Sequence, residues 1–154
     1  MIDLPLLAID PGKNLGWALA VGGELVDFGS ISPVVWNGRD SKAIDMLPDA
    51  CVCIIEMPRV YPAVAKWKGD PQHIVRLAFL AGRIAARYPV YFEVEPKTWQ
   101  GGSPPERVLR RRTSDRMRAT ERSLVMSRKL NAHSWDAIGI LLYSLNRRIQ
   151  TAYV

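Results

Sequence analysis

Residues 6 to 20, LLAIDPGKNLGWALA, pass from one apolar run into another through an aspartate, a proline and a glycine. Residues 4 to 10 are almost unbroken in their apolar character, the pattern of a central strand buried on both faces. Such a strand has no packing use for a carboxylate, yet it ends in Asp10. Alone, an aspartate before Pro-Gly is a common turn arrangement; joined by distant partners, it is one piece of a site. Beyond the turn, GWALAVGG and ELVDFGSIS read as short strands separated by Gly22-Gly23, a hairpin signal. Residues 51 to 56, CVCIIE, form a second continuous apolar run that closes on an acid, Glu56.

The rest of the chain supplies the covering layers. Residues 39 to 48 are compatible with a short helix ended by Pro48, and MPRVYPAVAKWKG reads as a loop. Asp70-Pro71 is a good helix opening, with a capping acceptor and a proline in the first turn. Ile74, Leu77, Ala78, Ala81, Ile84, Ala85 and Tyr88 then recur at helical spacing. VYFEVE is a strand, PKTWQGGSPP a loop, and the segment from about 106 to 129 a helix. A last helix is expected over roughly 134 to 149, capped by Asn131 or Ser134. The order β-β-β-α-β-α-β-α-α specifies an α/β fold in one domain spanning 1–154, a hairpin-led mixed sheet flanked by helices.

The net charge of +6 is concentrated. Residues 107 to 129 hold eight arginines and one lysine against Asp115 and Glu121, a local balance of +7 that leaves −1 for the remainder. This is the electrostatic footprint of a polyanion-binding surface; a solvated helix face more often mixes both signs. No uncharged stretch approaches the roughly 18 residues of a membrane span. The N-terminal MIDLPLLAID lacks the basic start of an export signal. The expectation is a cytoplasmic protein with no membrane partner. Cys51 and Cys53 alternate on one strand face, which favours buried thiols over a disulfide.

Three acids stand at three element ends: Asp10, Glu56 and Asp136, the last in the first turn of the final helix. Ligands of open α/β sheets gather beyond the carboxyl ends of the strands. If the first and fourth strands pair in parallel, their terminal acids become neighbours. Crowded carboxylates repel and raise one another's pKa, and a divalent cation relieves that repulsion. Hard oxygen donors suit Mg²⁺, with Mn²⁺ as a substitute, and two such ions about 4 Å apart can activate a water and stabilise a leaving phosphodiester oxygen. Each acid also has a plain structural reading, Asp136 for instance as a complement to the positive end of a helix. His133 lies three positions before Asp136, on the same helical side. It would ligate a metal, shuttle a proton, or simply occupy the helix start. Ala132, Ala137 and Gly139 are small enough to let this helix approach the sheet.

IDPGKNLGWALA, IIEMPRVYP and HSWDAIGILLY, in that order, resemble the RuvC-type Holliday junction resolvases, a branch of the RNase H-like nuclease superfamily. The resemblance covers essentially the whole chain. It implies an RNase H-like mixed five-stranded sheet, three strands antiparallel and two parallel. It further implies a homodimeric endonuclease, dependent on Mg²⁺ and holding two ions per site, that makes paired cuts in four-way DNA junctions and leaves 5′-phosphates. Asp10, Glu56 and Asp136 would then be catalytic metal ligands and His133 the fourth active-site residue, a position where some relatives carry aspartate. Relatives place lysines near the scissile phosphate; here PKTWQGGSPPER offers Lys97 and Arg107. The aromatic residue that relatives stack at the junction centre would be Tyr61 or Trp67. Backbone phosphates would be held by Lys66, Lys68, Arg110, Arg111, Arg112 and Arg116, giving affinity with little sequence information. The helix over 71 to 88 is the candidate dimer contact. The rival readings are an RNase H-like nuclease acting on RNA or RNA–DNA hybrid, and a non-catalytic junction-binding protein. An actin-like ATPase would need two related lobes, and the chain carries no repeat.

Overall fold

A computed structural model describes residues 4–12, 14–31, 44–57 and 71–146. Tyr61, Lys66, Trp67 and Lys68 lie outside these residues, as do residues 39–43 of the helix expected over 39–48. Five strands, β1 (Leu6–Asp10), β2 (Leu15–Val21), β3 (Glu24–Ile31), β4 (Val52–Glu56) and β5 (Val90–Val94), form one sheet in the order β3-β2-β1-β4-β5. β1 pairs antiparallel with β2 and parallel with β4, so the sheet is mixed as expected. Helices among the described residues include α1 (Pro71–Ala85), α2 (Pro96–Gln100), α3 (Glu106–Arg116), α4 (Ala119–Met126) and α5 (Ala132–Ser144).

The hairpin is built as its glycines require. Val21 pairs with Glu24 across a two-residue turn, and Gly22 and Gly23 take φ of 58° and 76°, which matches the twist of the flanking strands. Every residue of β1 is buried, because both faces of the sheet are covered. Leu7 and Ile9 pack with Cys53, Ile55 and the inner side of α1 (Leu80, Ala81, Ile84). Leu6 and Ala8 face the other way, with Ile54, and pack under α5 (Ala137, Ile138, Leu141). The burial of Cys53 pushes its thiol up to about 12, as befits an inert core residue.

Two expectations need correction. The basic segment is not one helix over 106–129. The backbone turns extended at Met117, whose side chain is buried, and α4 starts afresh after Arg118. Glu121 enforces that break: its buried carboxylate accepts from the backbone N–H of Arg118 at 2.7 Å and of Leu25 at 2.8 Å, riveting the start of α4 to β3. The segment PKTWQGGSPP is not simply a loop either, since residues 96–100 form α2, opened by Pro96 and closed by Gly101 at φ 68°.

Candidate active site

Period-two alternation decides where the acids point. Asp10 follows Leu6 and Ala8 on the face beneath α5, and Glu56 follows Val52 and Ile54 onto that same face. The parallel register Ile9↔Ile55 leaves Asp10 and Glu56 as the next residues of two adjacent strands. On the opposite side of β1, Asp10 pairs with Gly16 of β2.

The start of α5 is brought down onto this spot by a polar clasp and a missing side chain. Asn131 caps the helix by accepting from the Ser134 N–H at 2.9 Å, and its amide donates to Ser30 Oγ at 2.9 Å. Ser134 Oγ donates to the Gly29 carbonyl at 3.1 Å. Gly16 permits the approach: a Cβ there would stand 2.0 Å from the His133 carbonyl oxygen and 2.9 Å from the Ser134 nitrogen. Of the small residues expected to bring α5 close, Ala137 is buried against the sheet side, but Gly139 serves a different neighbour. A Cβ on Gly139 would meet Cζ3 of Trp99 at 2.5 Å.

The result is a shared acidic centre. Nδ1 of His133 and Oδ2 of Asp10 are 2.7 Å apart, a hydrogen bond between ring and carboxyl group. That hydrogen bond is the main reason His133 is shifted upward, reinforced by the charges of Asp10, Asp136 and Glu56. Asp10 is raised by burial, which outweighs the lowering by His133. Burial and the charge of Asp10 push Glu56 up to about 7, against a lowering by the hydrogen bond from Trp99. Asp136 rises to about 7 for the same two leading reasons. The charge of Asp10 thus raises both Glu56 and Asp136, and Asp136 adds to the rise of Glu56, the electrostatic signature of acids gathered in excess of the positive charge of His133 and Arg110.

This donor set suits a divalent cation: hard oxygens in excess of local positive charge, with one imidazole beside them. The side chains are turned toward protein partners, His133 onto Asp10 and Glu56 onto Trp99. Among the described residues no three His, Cys, Asp or Glu side chains converge as a ready coordination shell.

The basic residues divide into two kinds. Arg107, Arg110 and Arg111 are exposed on α3, and Lys97 is exposed on α2. Arg110 lies closest to the acids: it lowers Asp136, pairs with Glu106, and stands over the Trp135 ring at 6.0 Å. Others are partly committed to the fold. Arg112 donates to the Gln100 carbonyl at 3.1 Å, and Arg116 is half-buried by the Tyr143 ring. Arg118 pairs with Glu24, and Arg128 binds Asp27 at 2.6 Å and covers the Phe28 ring. The concentration of charge in the sequence therefore overstates the surface available to a polyanion.

Trp99 is the site residue that the sequence reading missed. It is 1% exposed and donates its indole N–H to Glu56 Oε2. Its signal was Pro96 at a helix start followed by a large apolar residue one turn before Gly101-Gly102.

No protein-family model matches the sequence, and no curated protein matches it. Solved structures do. Thermus thermophilus RuvC in complex with a Holliday junction substrate is 17% identical, with 96% of this chain and 97% of that chain covered and a TM-score of 0.56. A second Thermus thermophilus RuvC structure is 16% identical over 92% and 93% of the two chains, with a TM-score of 0.56. The fowlpox virus Holliday junction resolvase is 10% identical over 92% and 98%, with a TM-score of 0.57. The chain has the RNase H-like fold of RuvC. Among the described residues no helix is long and apolar enough to cross a membrane.

Proposed function

We propose that this chain is a divalent-metal-dependent, structure-selective endonuclease that resolves four-way DNA junctions. One observation carries the reading: Asp10, Glu56 and Asp136 come from β1, β4 and α5, yet the charge of Asp10 reaches both of the others, and His133 is bonded to Asp10 in the same centre. An RNase H-like fold without a nuclease role has no reason to retain such mutual repulsion. Its likeness over nearly full length to resolvases, one of them solved on a junction, supports the substrate.

Asp10, Glu56 and Asp136 would hold Mg²⁺ or Mn²⁺, two ions in the full site, with His133 as a further ligand or proton carrier. When bound, the metal supplies a lowered water pKa and charge neutralisation at the phosphodiester. The chain's own residues do the rest. Asp10 orients the His133 ring through Nδ1, which leaves Nε2 as the atom that holds or moves a proton. Exposed Arg107, Arg110 and Arg111, with Lys97, would grip backbone phosphates beside the acids, and Tyr61 or Trp67 would stack at the open branch point.

Paired cuts require two sites, and a homodimer would supply them on a twofold axis that matches the junction's own. An apolar surface supports this. Val75 and Phe79 of α1 are 60% and 66% exposed, and Tyr91 and Phe92 of β5 are 52% and 58% exposed. Tyr91 also borders a groove lined by Ile55, Ala81, Gly82 and Ala85, whereas Phe92, the next residue of β5, points to the opposite face of the sheet. Exposed apolar surface of this extent marks an interaction site.

The test is cleavage of a synthetic four-way junction, linear duplex and RNA–DNA hybrid with and without Mg²⁺. The junction should be cut far faster, only with metal. Asp10→Asn, Glu56→Gln and Asp136→Asn should each abolish cutting while junction binding persists. Equal cutting of duplex or hybrid would defeat the assignment.

A further inference from the structure

The hydrogen bond between Trp99 and Glu56 joins a buried apolar ring to a candidate metal ligand. Tryptophan has one polar group, an N–H that can only donate. Here it is directed at a carboxylate on the sheet, at the position where that carboxylate leaves the core. Three elements fix the ring. The helix α2 presents it, the bare Cα of Gly139 in α5 makes room for Cζ3, and α3 closes the far side, where Arg112 binds the last carbonyl of α2 and Thr113 Oγ1 borders the same gap. Among the described residues, the indole N–H is the one hydrogen-bond donor that Glu56 has.

We propose that Trp99 is a positioning residue for Glu56: by binding Oε2 it fixes the carboxylate's orientation and presents Oε1 to the cation shared with Asp10 and Asp136. The assignment rests on the metal-dependent reading above. Carboxylate ligands are commonly oriented by a donor just outside the coordination shell, and loss of that donor costs 10–100-fold in metal affinity or activity. A flexible carboxylate between two strand-end acids would otherwise be free to swing away from them.

The experiment follows the five indole N–H signals of the ¹⁵N-labelled full chain by NMR. Trp99→Phe removes one and so assigns it. That signal should move in Glu56→Gln protein without metal, and should move again as Mg²⁺ is titrated into the wild type. Trp99→Phe should raise the Mg²⁺ needed for half-maximal junction cleavage by about tenfold or more, while metal-free junction binding stays within about twofold. A Trp99 signal indifferent to both Glu56→Gln and Mg²⁺ overturns the proposal, as does unchanged Mg²⁺ dependence in a folded Trp99→Phe variant. If that variant does not fold, the signal is assigned instead in Gly139→Ala, which displaces the ring, and the two shifts in otherwise native protein decide. If the wild type cuts no junction, the nuclease reading fails, and the response of the indole to Glu56→Gln still decides the positioning role.

Discussion

Gly16→Ala puts the assembly of the candidate site to a demanding test, because the added methyl group meets backbone and not a side chain that can swing aside. The new Cβ would lie 2.0 Å from the His133 carbonyl oxygen, 2.3 Å from its carbon and 2.9 Å from the Ser134 nitrogen, where ordinary contact begins at 3.4 Å. Relief requires the first turn of α5 to back off by about an ångström or more, against the Asn131 cap and the Ser134 bond to Gly29. Overpacking of this kind typically costs about 1–3 kcal/mol, a fall in Tm of roughly 3–10 °C for a chain of this size. The displaced turn carries both His133 and Asp136 away from Asp10. A misplacement of about 1 Å is enough to lower turnover roughly 100-fold. The assay pairs junction cleavage at saturating Mg²⁺ with thermal unfolding, and Gly12→Ala serves as the comparison. There the new Cβ would sit 3.5 Å from His133 Cε1 and 3.2 Å from the Asn14 carbonyl oxygen, so the loss should be several-fold smaller. A Gly16→Ala protein with wild-type Tm and cleavage would show that α5 does not rest on β2 as described.

Three further outcomes are expected. Without metal, the folded protein should lose stability as pH rises from about 4 through 7. Asp10, Glu56, Asp136 and His133 are all shifted upward, so the folded state holds more protons than the unfolded chain across that window, and Mg²⁺ should restore the loss near pH 7. Chemical denaturation at pH 5 and pH 7.5 checks this, and a metal-free protein more stable at pH 7.5 would contradict it. Glu121→Ala strands the buried N–H of Leu25 and the half-buried N–H of Arg118, at a cost of about 2–4 kcal/mol measured by urea unfolding. Arg107→Ala should weaken junction binding and reduce the slope of log affinity against log salt by about 1. Arg128→Ala, which breaks the pair with Asp27, should act mainly on stability.

Legibility in the sequence tracked how local the physical signal was. Asp10 and Glu56 stood out because each interrupts a continuous apolar run, and two-residue alternation then carries both onto one face. Asp136 and His133 were legible through their three-residue spacing on a helix whose cap, Asn131, was also named. The break at Met117 was not legible, since its cause is Glu121 reaching across to β3, ninety-six residues away in sequence. Trp99 was hidden for a similar reason: the glycine that accommodates it is Gly139, in another helix. Charge counting picked out the basic segment, yet could not reveal which arginines are spent on Glu24, Asp27 and Gln100.

The two halves of the acidic centre are separated by most of the polypeptide, with Asp10 and His133 standing 123 positions apart. A ribosome adding roughly 5–20 residues each second needs about 6–25 s to travel from one to the other. During that interval the nascent chain holds Asp10 and Glu56 on neighbouring strands but lacks the helix that brings His133 and Asp136 to them. A fragment released early by stalled translation would therefore carry only part of the centre, and on the proposed nuclease reading it would not cut DNA, because His133 and Asp136 arrive only with α5.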